Sequence, residues 1–193
     1  MTRIAAFGGS LRRGAYNSSL LHAACELAPD DVEVTLVDVG TLPLYNADLD
    51  EHYGGGPEPA AVKELRDALE RADGLLIVTP EYNWSVPGYI KNAIDWVSRP
   101  AMQSPLADKP ALIMGASGGA AGTGRAQLQL RQVLLSTRTR VMVESLELPF
   151  AADHIDARGR LDEETSEQVQ RLMALLADEI ELTASRRLAS AEH

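Results

Sequence analysis

Three stretches of this chain hold more chemistry-bearing residues than a plain connector needs. The first is Gly9-Ser10-Leu11-Arg12-Arg13-Gly14-Ala15-Tyr16-Asn17-Ser18, which follows a short apolar run and leads into a helical pattern. A phosphate seeks backbone N–H donors, hydroxyls, a fixed cation and a helix N-terminus with its partial positive charge. All four are offered here: the Ser10 and Ser18 hydroxyls, the Arg12 guanidinium, flexible glycines and a helix start near Asn17. A guanidinium also meets phosphate in two-pronged fashion. No Gly-Lys-Ser/Thr follows, so this is not a Walker A loop, and the absence of Gly-x-Gly-x-x-Gly disfavours a dinucleotide held in the Rossmann manner. The plain alternative is an ordinary polar turn between strand and helix.

The second stretch is Thr79-Pro80-Glu81-Tyr82-Asn83-Trp84-Ser85-Val86-Pro87-Gly88. Two aromatics, two prolines and an asparagine make it stiff, with flat surfaces and amide donors. That suits a planar heteroaromatic ring gripped at its edges by Asn83 and backbone groups and flanked by Tyr82 or Trp84. The alternative is that the aromatics, Trp84 and Trp96 above all, fill the core or a subunit contact. The third stretch, Gly115-Ala116-Ser117-Gly118-Gly119-Ala120-Ala121-Gly122-Thr123-Gly124-Arg125, has a glycine density that lets backbone come close to a ligand. Its Gly122-Thr123-Gly124 lacks the third glycine of a nucleotide fingerprint.

Other reactive residues point to less. Cys25 falls on an apolar helical stripe and reads as a core residue. His22, His52, His154 and His193 are scattered, without zinc-ligand spacing. Ser117 has no evident His–Asp partners, which disfavours a hydrolase nucleophile.

The elements that position these stretches alternate strictly. Ile4–Phe7, the alternating Val32, Val34, Leu36, Val39, the continuous Leu75–Val78, Ala111–Met114 and Val141–Leu148 read as strands. Between them fall helical stripes: Leu21, Ala24, Cys25, Ala28, then Val62, Leu65, Leu69, Ala72 behind Pro59. A third helix is expected from Pro87-Gly88 through Val97 and a fourth from Gly124 to Thr137. Val169, Leu172, Met173, Leu176 and Ile180 mark a last one, capped by Asp162. Such alternation indicates an α/β fold with a parallel sheet covered on both faces. One domain over residues 1–185 is expected, with a frayed tail from 186 to 193. Tyr45–Pro59, containing Gly54-Gly55-Gly56, is expected to be a surface excursion.

The whole-chain numbers agree. With 193 residues, 45% of them hydrophobic, the chain is long and apolar enough for a substantial core. Its 18 basic and 28 acidic side chains give a net charge of −10, which argues against duplex nucleic acid as a partner. The single cysteine points to a reducing compartment, and no apolar run reaches the length of a membrane span. The start of the chain has no signal-peptide pattern. A cytoplasmic location is therefore expected.

In an open sheet of this kind ligands sit beyond the carboxyl ends of the strands, where strand order reverses. For the order 2-1-3-4-5 that point lies between strands 1 and 3, and it gathers the three stretches above.

Gly9-Ser10-Leu11-Arg12-x-x-x-x-Asn17, followed by Pro80-Glu81-Tyr82-Asn83-x-Ser85-x-Pro87-Gly88-x-x-Lys91-Asn92-Ala93-Ile94-Asp95-Trp96, resembles the NADPH-dependent FMN reductases, and most of all their bacterial quinone, azo and chromate reductases. The resemblance implies a flavodoxin-like three-layer sandwich and non-covalent FMN. It places the flavin phosphate on Ser10, Arg12 and Asn17, with backbone N–H groups of Ala15 and Tyr16. Many relatives carry serine at the Ala15 position and tyrosine at the Trp84 position. The isoalloxazine contacts fall on Pro80, Glu81, Tyr82, Asn83 and Trp84, with Ser117 and Gly118 bordering the ring. A homodimer or homotetramer is implied, for which Lys91–Trp96 and Arg125 are candidate positions.

The implied reaction is ping-pong: NADPH or NADH delivers hydride to flavin N5, and a quinone or similar small acceptor then takes two electrons. Free flavin, azo, nitro and chromate compounds are other acceptors of that kind. No protein side chain need act as acid, base or nucleophile. The alternative is a flavodoxin-like electron carrier without its own NAD(P)H turnover.

Overall fold

Central strands of a doubly covered sheet must be apolar on both faces, and edge strands on one. The computed structural model, which describes residues 1–53, 55–101 and 103–191, is built on that rule. Its strands are β1 (Thr2–Gly8), β2 (Val32–Val37), β3 (Gly74–Val78), β4 (Pro110–Ala116) and β5 (Arg140–Leu148). They pair in parallel in the order β2-β1-β3-β4-β5. Every residue of β3 and β4 is buried, whereas edge strands β2 and β5 carry exposed positions.

Alternation along the strands then sorts the helices. Ile4 and Ala6, Leu76 and Val78, and Leu112 and Met114 face a cluster completed by α1 (Tyr16–Glu26) and α5 (Glu163–Ala191). Ala5 and Phe7, Leu75 and Ile77, and Ala111 and Ile113 face the other cluster. That one is completed by α2 (Ala60–Arg71), α3 (Gly88–Val97) and α4 (Gly124–Ser136). The result is the expected three-layer flavodoxin-like sandwich. Asp162 caps α5 as expected, its Oδ1 accepting the Thr165 N–H at 2.8 Å.

Several expectations need correction. The last helix runs to Ala191, so residues 186–191 are helical where a frayed tail was expected; residues 192 and 193, with His193, lie outside the described residues. Helix α1 stops at Glu26, short of Ala28, and β2 stops at Val37, although Val39 is buried beyond it. Nor is Tyr45–Pro59 only a surface excursion, although its Gly54 lies outside the described residues. Asp50 is fully buried and accepts the Tyr45 hydroxyl at 3.3 Å and the His52 N–H at 3.0 Å. Glu58 pairs with Arg66 at 2.7 Å with both side chains buried, and Arg66 also donates to the Trp96 and Arg99 carbonyls. Tyr45 packs edge-on against Trp96, whose Nε1 donates to the Pro43 carbonyl at 2.8 Å. The segment is a strap bonded to α2 and α3.

Candidate functional site

Three loops leave the carboxyl ends of β1, β3 and β4 side by side. Their roots are set by close backbone contact: the Gly9 N–H donates to Val78 O at 2.8 Å and the Thr79 N–H to Met114 O at 2.9 Å. Gly8, at φ +116°, permits this approach, because a Cβ there would lie 2.1 Å from Val78 O. Gly115 is equally confined, its would-be Cβ 2.1 Å from Thr123 Oγ1.

The first loop folds on its own hydroxyls. Ser18 Oγ donates to Ser10 O at 3.0 Å and accepts the Ser10 N–H at 3.2 Å. Helix α1 starts at Tyr16 on an uncapped Ala15, and its first closing bonds are Ser18 N–H and Ser19 N–H to Ala15 O. The N–H groups of Tyr16 and Asn17 meet no acceptor among the described residues, as a helix start dictates unless a side chain or ligand supplies one. The exposed Arg12 guanidinium reaches only the Arg13 carbonyl, at 3.5 Å, and pairs with no carboxylate among the described residues.

The second loop closes a tight turn. Tyr82 and Ser85 exchange backbone hydrogen bonds of 3.1 and 3.0 Å around Asn83 (φ 51°) and Trp84 (φ 65°). Asparagine tolerates this left-handed backbone; for tryptophan it costs about 1–2 kcal/mol. Trp84 is 68% exposed, with the Arg125 guanidinium 4.8 Å above its ring. The loops meet where Ser10 Oγ and the Tyr82 hydroxyl lie 3.1 Å apart. In the third loop Ser117 donates its hydroxyl to Gly119 O at 2.8 Å, while Cβ atoms on Gly118 or Gly119 would meet nothing within 4 Å.

Two expected ligand contacts are engaged elsewhere. The buried Asn17 side chain donates to Ala116 O at 2.7 Å and accepts the Ala116 N–H at 2.8 Å, tying α1 to β4. Its side-chain carbonyl oxygen is therefore committed, and the backbone N–H is the donor that Asn17 leaves open among the described residues. Glu81, only 8% exposed, accepts Arg125 Nε at 2.7 Å and the N–H groups of Arg125 and Ala126 at 3.1 and 3.2 Å. It caps α4 from another loop, because Thr123 at the helix start makes no side-chain cap. Pro80 is buried behind it. Among the assembly candidates, Ala93, Ile94 and Trp96 are buried in the core, so only Lys91 and Asp95, which pair at 2.6 Å, and Arg125 remain on the surface.

Sequence reasoning missed Tyr89, whose hydroxyl donates to Gly9 O at 2.6 Å from the first turn of α3. Burial pushes its phenol upward, keeping it a donor. Gln129 was missed too: it donates to Trp84 O at 3.2 Å and accepts the Ser85 hydroxyl, bracing the turn from α4. Burial, helped by Glu26, raises the Cys25 thiol to about 11, which makes it a poor nucleophile. No group of metal-ligating side chains exists among the described residues, and none of the described helices is long and apolar enough to cross a membrane.

A 2-1-3-4-5 parallel sheet with an arginine-bearing anion loop beside an aromatic turn at its switch point is a flavodoxin-like architecture with a cofactor-type site. The family model for NADPH-dependent FMN reductase matches residues 2–153; the chain belongs to that family and is an enzyme of its kind. It is 42% identical over 181 residues to an NAD(P)H-dependent FMN reductase of Pseudomonas aeruginosa, covering 90% of this chain and 92% of the relative. It is 46% identical over 135 residues to a quinone reductase of Escherichia coli, covering 69% and 70%. The solved structure of the flavoenzyme NAD(P)H:(acceptor) oxidoreductase FerB from Paracoccus denitrificans superposes with a TM-score of 0.83 at 36% identity, covering 95% of this chain and 99% of that one.

Proposed function

We propose that the three loops hold one FMN and that the enzyme passes two electrons from NAD(P)H to quinones or similar small acceptors in ping-pong order. The hydrogen bond between Ser10 and Tyr82 carries the reading. It joins an anion corner and a flat aromatic corner at one rim, and FMN is a molecule with a phosphate at one end and a fused ring at the other.

The residues present fit that group. The Arg12 guanidinium, unpaired with any carboxylate among the described residues, the Ser10 hydroxyl and the open N–H groups of Tyr16 and Asn17, next to the buried Ala15, form a donor set suited to a phosphate. Tyr82, Asn83 and Trp84 on one side and Ser117 and Gly118 on the other leave backbone and flat surface for a ring, with Pro80 buried at the root of the turn and free space above Gly118 and Gly119. Glu81 serves by holding Arg125 and the start of α4 in place.

When bound, FMN would supply two-electron redox chemistry between nicotinamide and acceptor. The protein would bind and orient it. No side chain would need to act as acid or base: the Glu81 carboxylate is committed to Arg125 and the start of α4, and Tyr82 is bonded to Ser10. A single open face, bordered by Trp84, would serve nucleotide and acceptor in turn. We further infer assembly as a homodimer or homotetramer through the surface around Lys91, Asp95 and Arg125, and a cytoplasmic location.

The test is an absorption spectrum of the purified protein loaded with FMN. Bleaching of the flavin bands by NADPH and return of colour with benzoquinone is the expected result. A protein that stays colourless in excess FMN contradicts the reading, and bound FMN that NADPH leaves unbleached favours an electron carrier.

A further inference from the structure

Two cavities adjoin the first loop without touching the aromatic turn. One, of about 550 Å³, runs between α1 and the hairpin closed by the Ile155–Leu161 bridge. The other, of about 480 Å³, lies between Arg12, Gly14 and Tyr16 and the start of that hairpin. Gly14, Ser19, Arg158 and Gly159 line both, so the two are lobes of one groove that begins beside the anion corner.

The hairpin presents its charges in a defined way. Asp156 Oδ1 accepts the N–H groups of Arg158 and Arg160 at 2.8 and 2.9 Å, and Oδ2 accepts Arg160 Nε at 2.8 Å. Those bonds hold the Asp156 carboxyl below the usual range and neutralise Arg160. Gly159, at φ +81°, sits so close to α1 that a Cβ on it would come within 2.7 Å of Ser19 Oγ. The turn is thus seated on the helix. Arg158 is left without a carboxylate partner among the described residues, as is Arg12 at the other end of the groove. Of the acidic lining groups, Asp156 is committed and Glu26 lies in the larger lobe away from Arg12. In a chain of net charge −10, cations without partners at one place attract a polyanion.

We propose that Arg158, with the Ser19 hydroxyl, receives the 2′-phosphate of NADPH in this groove and makes the enzyme prefer NADPH to NADH. The proposal rests on the two-substrate reading above and names the groups that would choose between the nucleotides. NADPH and NADH differ only by that phosphate, and a guanidinium beside hydroxyls recognises it by charge and geometry. A nucleotide whose nicotinamide reaches the ring rim would lay its adenosine end along the groove past Arg12.

Calorimetric titration of the wild type, Arg158→Ala, Arg158→Gln and Arg158→Lys with adenosine 2′,5′-bisphosphate, 5′-AMP and inorganic phosphate tests it, alongside KM for each nucleotide with benzoquinone. The wild type should bind the bisphosphate about tenfold or more tightly than 5′-AMP, as one charge-assisted hydrogen bond allows. Arg158→Ala and Arg158→Gln should lose that advantage and raise KM for NADPH by a similar factor, with a much smaller change for NADH. Arg158→Lys should recover part of it. Bisphosphate affinity equal in wild type and a folded Arg158→Ala or Arg158→Gln protein, or no better than that of inorganic phosphate, overturns the proposal. A wild type that binds the bisphosphate but not FMN would instead overturn the functional reading and leave this one standing.

Discussion

The two corners of the site are prepared differently. At the aromatic corner the frame is braced within the protein: Glu81 accepts three donors, Tyr82 and Ser85 bond each other, and Gln129 holds the Trp84 carbonyl. At the anion corner the Arg12 guanidinium pairs with no carboxylate, and the first N–H groups of α1 meet no acceptor, among the described residues. The contrast follows from what each corner would meet. A flat ring gains from a stiff apolar frame, since ordering a loose loop would cost conformational entropy. A phosphate brings its own charge and needs donors left open for it.

Breaking the root shared by both corners should have the largest effect. Gly8→Ala sets a Cβ against Val78 O at a left-handed backbone and should destabilise the fold by about 3 kcal/mol or more, read by urea unfolding. Near-native stability would show the close approach to be relaxed. Next comes the satisfied corner. Glu81→Ala uncaps α4 and strands Arg125, with an expected loss of about 2 kcal/mol in protein without FMN.

The open corner should give the converse. Arg12→Ala should leave unfolding of the FMN-free protein unchanged and weaken FMN binding by about tenfold to a hundredfold, measured by quenching of flavin fluorescence. If Arg12→Ala lowers stability while Glu81→Ala does not, the contrast between the corners is wrong. Trp84→Gly relieves a left-handed tryptophan while losing its stacking with Arg125, so thermal unfolding should shift little.

The smallest effect concerns Asp162, away from both corners. Its carboxyl is depressed, first by the Thr165 hydrogen bonds and then by His154. A depressed acid contributes stability above its unfolded pKa, and that contribution is lost as pH falls through the lower folded value. Asp162→Asn keeps a capping oxygen without the charge, so the acid limb of its stability curve should be flatter below about pH 4. An unchanged limb would remove Asp162 from the account.

Most of the fold was legible because periodicity reports burial directly. The continuous Leu75–Val78 run marked a strand covered on both faces, and the alternation from Val32 marked an edge. The bounds of α1, β2 and α5 were less so, since ends are settled by a few competing hydrogen bonds. In the site, composition separated an anion loop from an aromatic loop but could not say which polar groups would remain free. Glu81 read as a ring contact, yet the uncapped start of α4 takes its carboxylate across a separation of 44 residues. Asn17 likewise binds Ala116, 99 residues away.

The sequence by itself determined the layers and, with the common strand order that its family resemblance implies, the clustering of three unusual loops at one rim. Local residue patterns encode which face each segment buries, and right-handed crossovers leave few ways to connect them. Only the tertiary structure decided the roles of Glu81, Asn17 and Tyr89, the strap over Trp96 and the groove beside Arg158. Those depend on which donors and acceptors distant segments bring within about 3 Å of one another, a distance that no local pattern records.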